Sequence, residues 1–167
     1  MKPLLKILLA PAMLAYVGAI LLLNLGFSYV PMIDLGFGLF SPMAILAGLC
    51  FVLRDFAQRQ AGHYVLIAMA TGAVLSFMLA DPFVAVASVA AFGASELVDY
   101  LLYTYSKKPF HQRVLISSLL STPVDTIVFL GMISGLTTGT FVLMVLAKMV
   151  AAVLIWYLYR GRSSSYA

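Results

Sequence analysis

The chain has 167 residues, of which 63% are hydrophobic and 10% are charged. Soluble proteins carry about 25% charged residues, so this composition excludes an ordinary soluble domain and indicates an integral membrane protein. The single cysteine, Cys50, excludes a disulfide within the chain and a cysteine metal site, and the net charge of +4 requires no nucleic-acid partner, because basic residues beside membrane spans meet lipid headgroups.

Six apolar segments follow one another, each near the length of about 20 residues that a membrane span needs. They cover approximately residues 4–29, 42–57, 64–79, 82–105, 112–133 and 140–159. The first follows Lys2 and Lys6 in the manner of a signal peptide, but its apolar run is too long for one, and we interpret it as a span. Ser41-Pro42 and Asp81-Pro82 each predict a helix start, with a capping side chain before a proline at the first helical position.

Charge orients these spans. Nine of the ten basic residues fall on one side of a six-span drawing, and the opposite loops carry Asp34 and Asp81 without Lys or Arg. The positive-inside bias therefore predicts an all-α six-transmembrane-helix bundle with both termini cytoplasmic. One domain is expected over residues 1–160, with a short polar cytoplasmic tail over residues 161–167. The nine basic residues are Lys2, Lys6, Arg54, Arg59, Lys107, Lys108, Arg113, Arg160 and Arg162.

Acidic side chains lie inside the fourth and fifth spans, where an ionisable group is expensive to bury and marks a site or a pathway. Helical spacing puts the polar residues of each span on one face, and we expect the two faces to meet or to share a cavity. The fourth-span face contains Ser88, Phe92, Ser95, Glu96, Asp99 and Tyr103, and the fifth-span face contains Ser118, Ser121, Thr122, Asp125 and Phe129.

Other polar residues leave two interpretations open. Pro123 bends the fifth helix either for packing alone or to open a cavity beside Asp125. Lys148, near the middle of the sixth span, either pairs with Asp125 or Glu96 or contacts a ligand. Asn24 makes a hydrogen bond between helices or binds a ligand. At the end of the second span, Asp55 and Gln58 share a face with Arg54 and point back towards the bundle.

An enzyme is not expected. Neither Gly-x-Ser-Gly nor Gly-x-Gly-Asp, the segments of intramembrane proteases, occurs in the sequence, and both His63 and His111 fall in predicted loops. These histidines have no cysteine or carboxylate at ligand spacing, so we expect no metal site and no cofactor.

Three segments resemble the vitamin uptake transporter-like proteins that import queuosine precursors. The densest match is Ala-Ser-x-x-Ala-Phe-x-x-Ser-Glu-Leu-x-Asp over residues 87–99, followed by Ser-Thr-Pro-Val-Asp over residues 121–125. Phe-Val-Leu-Arg-Asp over residues 51–55, with Gly62 beyond it, is similar to the family's second span, and Asn24 is similar to an asparagine in its first. The chain departs from many members at Gln58 and Arg59, where they carry an acidic residue.

The resemblance implies a transporter in the bacterial inner membrane that takes a 7-deazaguanine base such as 7-cyano-7-deazaguanine. Carboxylates suit the N–H and amino group of such a base, amide and cationic groups suit its acceptors, and phenylalanine suits its flat face. The substrate-binding residues expected on this basis are Asn24, Arg54, Asp55, Gln58, Phe92, Ser95, Glu96, Asp99, Ser121, Asp125 and Lys148.

Two other functions remain open from sequence. One is the substrate-binding subunit of an energy-coupling-factor importer, for which Ala15 and Ala19 have the spacing of a docking motif and also that of ordinary helix packing. The other is a small channel or structural membrane protein. The expected partners are the lipid bilayer and a small deazapurine, with a homo-oligomer left open, and the sequence does not distinguish proton from sodium coupling.

Overall fold

The computed structural model describes residues 10–105 and 108–160, without the side chains of Tyr103 and Phe110. The predicted tail over residues 161–167 and the basic residues Lys2, Lys6, Lys107 and Arg162 lie outside this part of the chain. Two-residue strands β1 (Ile33–Asp34) and β2 (Leu39–Phe40) pair in an antiparallel hairpin. The described residues form six α-helices, namely α1 (Pro11–Tyr29), α2 (Met43–Ala61), α3 (Val65–Leu79), α4 (Pro82–Tyr105), α5 (Phe110–Met132) and α6 (Thr138–Tyr159).

Five segments of the described chain are long and apolar enough to cross a membrane, where the sequence predicted six. The difference lies between α2 and α3, which a 3₁₀ turn over Gly62–Tyr64 joins into one apolar segment, Met43–Leu79. Helix α3 has 15 residues, fewer than the roughly 17 that the shortest spans contain. The protein is therefore an all-helical membrane protein with several spans.

The two predicted helix starts differ in outcome. The Asp81 carboxylate accepts hydrogen bonds from the backbone N–H groups of Phe83 and Val84, at 3.0 and 3.1 Å, and so caps α4. The predicted serine cap of the second span is wrong. Helix α2 begins one residue after Pro42, and the buried Ser41 hydroxyl has no hydrogen-bond partner within the structure. The N–H of Ala44, in the first turn of the helix, instead donates to the backbone carbonyl of Ser41 at 3.0 Å.

The helices pack in a ring that encloses the core. Helix α1 contacts α2 and α3, α2 contacts α6, α6 contacts α5, α5 contacts α4, and a smaller contact between α3 and α4 closes the ring. At Gly48 of α2 an added Cβ would overlap the backbone carbonyl of Lys148 in α6. Only glycine allows the two backbones to come this close, so this position fixes the depth of Lys148 relative to α2.

One end of the bundle, here called the hairpin end, holds the hairpin and the acidic loop residues. The N–H of Asp81 donates to Ser28 Oγ at 3.0 Å, which joins the start of α4 to the end of α1. The N–H of Leu39 donates to Thr140 Oγ1 at 2.9 Å, which joins the hairpin to the start of α6.

The opposite end, here called the basic end, joins the other helix termini. The N–H of Ala12 donates to Gln60 Oε1 at 3.3 Å, and the rings of Phe56 and Tyr159 lie 5.9 Å apart. These contacts bring the start of α1 together with the ends of α2 and α6. Successive helices therefore run in alternating directions between the two ends.

The bundle has an apolar outside and a polar core. Large side chains such as Leu22, Met78 and Leu146 are 59%, 73% and 62% exposed, which suits contact with lipid tails. The buried side chains include Arg54, Asp55, Glu96, Asp99, Asp125 and Lys148. A chain that buries charge and exposes hydrocarbon is built to keep a polar site at membrane depth.

Candidate functional site

Arg54 of α2 reaches across the ring to α4 and gathers three carboxylates, a set we call the arginine cluster (Arg54, Asp55, Glu96 and Asp99). Its NH1 atom lies 2.7 Å from Asp55 Oδ1 and 3.2 Å from Asp99 Oδ2, and its Nε lies 3.0 Å from Glu96 Oε2. All four side chains are at most 3% exposed. One guanidinium therefore serves three buried carboxylates.

The arginine cluster contains more acceptor atoms than donors. Within the described chain, Asp55 Oδ2 has no hydrogen-bond partner. The Ser117 hydroxyl lies beside Asp99, and the fully buried Tyr16 hydroxyl of α1 lies beside Glu96. Buried polar groups are normally satisfied, so the unpartnered oxygen makes the cluster a candidate site for a ligand or a proton.

A second ionic contact, here called the lysine pair, joins Lys148 of α6 to Asp125 of α5. Lys148 Nζ donates to Asp125 Oδ2 and, at 2.9 Å, to Thr126 Oγ1. Ser95 Oγ of α4 donates to Asp125 Oδ1 at 3.4 Å. Of the two partners predicted for Lys148, the structure thus has Asp125, and the pair carries one positive and one negative charge.

A small cavity reaches the lysine pair from the apolar part of the core. The volume that the centre of a water molecule can occupy in this cavity is about 10 Å³, which is roughly enough for one water. Four phenylalanines from four helices form much of its wall, with the rings of Phe27 and Phe129 centred 4.8 Å apart and those of Phe51 and Phe92 stacked at 6.2 Å. The lining residues are Leu23, Phe27, Ala47, Phe51, Ser88, Ala91, Phe92, Asp125, Phe129 and Lys148.

Eight of the eleven residues predicted to bind substrate belong to one of two groups. Phe92, Asp125 and Lys148 line the cavity, and Ser95 contacts it through Asp125. Four others form the arginine cluster and are absent from the cavity wall. Ser121 is fully buried on α5, and its hydroxyl has no partner in the described chain.

Two predicted residues make contacts between helices outside both groups. Asn24 Nδ2 donates to Ser76 Oγ of α3 at 3.0 Å, which is the interhelical hydrogen bond that the sequence left as one interpretation. Gln58 Nε2 donates to Thr104 Oγ1 of α4 at 3.1 Å. Both side chains are buried, so these bonds fix helix positions around the sites.

The contributions of α1 and of the apolar part of α2 were not predicted from the sequence. Tyr16 of α1 lies beside the arginine cluster, and Phe27 and Phe51 form cavity wall. Leu23 and Phe27, like Ala47 and Phe51, are four residues apart and so share a helix face. That spacing is a usable signal, but both helices are apolar on most faces and nothing in the sequence distinguishes the inner one.

A family of transporters matches the part of the chain that carries both sites. The model of this family, described as a putative vitamin uptake transporter, matches residues 31–160. No curated protein and no solved structure matches the chain. Since the matched range covers most of the sequence and contains the arginine cluster and the lysine pair, the chain belongs to the putative vitamin uptake transporter family and is a multi-pass membrane protein of the transporter class.

Proposed function

We propose that the protein imports a 7-deazaguanine base, a queuosine precursor such as 7-cyano-7-deazaguanine, across the bacterial inner membrane. The observation that carries this proposal is the cavity in the bundle core, which has phenylalanine walls and the lysine pair at its polar side. A flat aromatic base with one hydrogen-bonding edge needs this combination of surfaces.

The edge of a guanine-like base complements the lysine pair. It presents a carbonyl acceptor beside a ring N–H and an amino group, in that order. Asp125 accepts from the N–H and the amino group, and the Lys148 ammonium donates to the carbonyl. Stacking on Phe129 and Phe92 holds the ring and tolerates substituents at its far side.

The size of the cavity bears on mechanism. A space for about one water does not admit a bicyclic base, so the helices around it must part for binding. The cavity walls come from α1, α2, α4, α5 and α6. Movement of the α1–α2 pair away from the α4–α5 pair would therefore open the site. A carrier needs such a closed state between its outward-open and inward-open states.

The proposed topology has six crossings and both termini in the cytoplasm. It is supported by the alternating helix directions and by the charge difference between the two ends. Arg59 and Arg160 lie at the basic end, and Asp34 and Asp81 lie at the hairpin end. Positive-inside bias then gives the basic end to the cytoplasm. In this arrangement α3, extended by the 3₁₀ turn, returns from the basic end to the hairpin end.

Cysteine labelling in intact cells tests the topology. Impermeant thiol reagents are expected to label Asp34→Cys, Asp81→Cys and Gly135→Cys from outside and to leave Lys108→Cys unlabelled. The native Cys50 is fully buried and gives a low background, so it can stay in place. External labelling of position 108 contradicts the topology.

Binding to the purified protein tests the substrate. Calorimetric titration should detect saturable binding of 7-cyano-7-deazaguanine and much weaker binding of 7-deazaadenine, whose edge lacks the carbonyl and the adjacent N–H. Uptake by the purified chain alone in proteoliposomes separates a solitary carrier from a subunit that needs an ATPase module. Equal affinity for both bases contradicts the proposed edge contacts.

A further inference from the structure

We propose that the arginine cluster is the binding site of the coupling proton and that the Asp55–Asp99 carboxylate pair holds this proton beside Arg54. The assignment to coupling rests on the proposed transport function. The presence of the proton does not, because it follows from the geometry of the cluster and can be measured without substrate.

The three carboxylates contact two different nitrogen atoms of Arg54. Glu96 has the Nε atom to itself at 3.0 Å, whereas Asp55 and Asp99 share the NH1 atom at 2.7 and 3.2 Å. Two ionised carboxylates on one nitrogen repel each other, and this repulsion is strong where water is absent. Uptake of one proton by the pair leaves Arg54 with one ionised carboxylate on Nε and one on NH1.

An unpartnered atom of the cluster gives independent support. Asp55 Oδ2 is a buried acceptor without a donor in the described chain. A proton shared by the two carboxyls supplies that missing donor. The Tyr16 hydroxyl, buried beside Glu96, extends the same group of atoms into α1.

A proton fits this site better than a metal cation. Across residues 10–105 and 108–160, no three His, Cys, Asp or Glu side chains are arranged to hold a metal ion. The permanently charged guanidinium also occupies the centre of the carboxylates and repels a second cation. Protonation needs neither a coordination shell nor free space, and the cluster is absent from the wall of the cavity beside the lysine pair.

The groups around the pair come from several elements. Arg54 of α2, Glu96 of α4 and Ser117 of α5 face the pair itself. Tyr16 of α1 and Cys50 of α2 lie beside Glu96. The lysine pair on α5 and α6 carries no net charge. Arg54 contacts all three carboxylates.

Infrared spectroscopy of the protein in lipid vesicles tests the proton directly, with no substrate present. The wild-type protein should show the C=O band of a protonated carboxylic acid that shifts in D₂O and disappears as pH rises. Labelling aspartate with ¹³C in the carboxyl group should shift the band, and Asp99→Asn should remove it. Asp34→Asn, which changes an exposed carboxylate of the hairpin, is the matched control and should keep it. A wild-type protein without such a band, or a band insensitive to aspartate labelling, overturns the proposal even if Asp99→Asn does not fold.

Proteoliposomes test the coupling. If one proton accompanies each base, a gradient of one pH unit should support about tenfold accumulation of 7-cyano-7-deazaguanine. Asp99→Asn should lose this accumulation and keep exchange of labelled for unlabelled base, since exchange needs no net proton movement. Gradient-driven accumulation by this variant overturns the coupling role. A wild-type protein that exchanges no deazaguanine contradicts the proposed function instead, and the infrared result then decides the proton site alone.

Discussion

The arginine cluster and the lysine pair lie in the same core but differ in charge balance and in access. The lysine pair matches one cation with one carboxylate and lines the cavity. The arginine cluster sets one cation against three carboxylates and is absent from the wall of that cavity. A balanced pair is stable without a further charge and can offer its hydrogen-bonding atoms to a neutral base. For the unbalanced cluster we propose one bound proton, which leaves two ionised carboxylates around Arg54.

The difference arises within one turn of α4. Ser95 donates to Asp125 and so contacts the lysine pair, and the next residue, Glu96, contacts Arg54. Neighbouring residues on a helix point about 100° apart, so a single polar stripe can serve two sites. Buried carboxylates in one membrane protein should therefore be assigned to sites by their partners and not by their sequence proximity.

The largest expected effect comes from breaking the lysine pair. Asp125→Asn and Lys148→Met should each lower the free energy of unfolding by about 3–5 kcal/mol, because each leaves an uncompensated buried charge. The double variant should recover much of this loss, as measured by unfolding in detergent or lipid. Asp34→Asn should change little, since Asp34 is exposed. Single effects that simply add would show that the two residues do not act as a pair.

The position of the lysine pair depends on the close approach of α2 and α6. Gly48→Ala adds a Cβ that overlaps the Lys148 carbonyl, so we expect a loss of about 1–3 kcal/mol in unfolding free energy. Gly93→Ala is the matched control, because nothing lies within 4 Å of a Cβ at that helical position. It should leave stability unchanged or raise it by roughly 0.5 kcal/mol. Equal unfolding free energies of the two variants would show that Gly48 makes no tight contact with α6.

A substitution in the aromatic wall of the cavity should lower the affinity for the base and leave the arginine cluster unchanged. Phe129→Leu keeps an apolar side chain but loses the stacking surface, so binding of 7-cyano-7-deazaguanine should weaken by about 1 kcal/mol. Phe83→Leu, at a side chain that is 63% exposed on the same bundle, serves as the control. Calorimetric titration of both variants measures the difference. Equal affinities would exclude Phe129 from the binding surface.

The smallest effect is expected at Asn24. Its amide bonds to Ser76 and is absent from the cavity wall, so Asn24→Leu should cost about 0.6 kcal/mol of stability, the average for hydrogen bonds between membrane helices. Base affinity should stay at the wild-type value. A variant of normal stability with weakened binding would return Asn24 to the substrate site, as the sequence analysis first grouped it.

Much of this arrangement could be predicted from sequence because polar residues are rare in the chain. Helical spacing identified the inner faces of α4 and α5, and the cost of burying Lys148 required a carboxylate partner. The Asp81 cap also followed from a local signal, since its side chain bonds to residues two and three positions along. These features depend on periodicity or on short-range chemistry.

The separation into two sites could not be predicted. It depends on the reach of Arg54 across the ring from α2 to α4, and no spacing along the chain encodes that distance. The cavity walls from α1 and α2 were missed for a related reason, because an apolar helix in an apolar solvent shows no contrast between its inner and outer faces. The cap predicted at Ser41 is missing because backbone carbonyls of Ser41 and Pro42 accept from the first N–H groups of the helix in its place.

The central claim is that Asp125, and not the arginine cluster, reads the edge of the base. It is tested most directly by titrating 7-cyano-7-deazaguanine and its analogue without the 2-amino group into the wild-type protein, Asp125→Asn and Glu96→Gln. Loss of the amino group should weaken binding to the wild type and to Glu96→Gln by about 1.5–3 kcal/mol, the contribution of a hydrogen bond to a charged group, and should have little effect on Asp125→Asn. An amino-group effect that persists in Asp125→Asn and vanishes in Glu96→Gln would contradict the account.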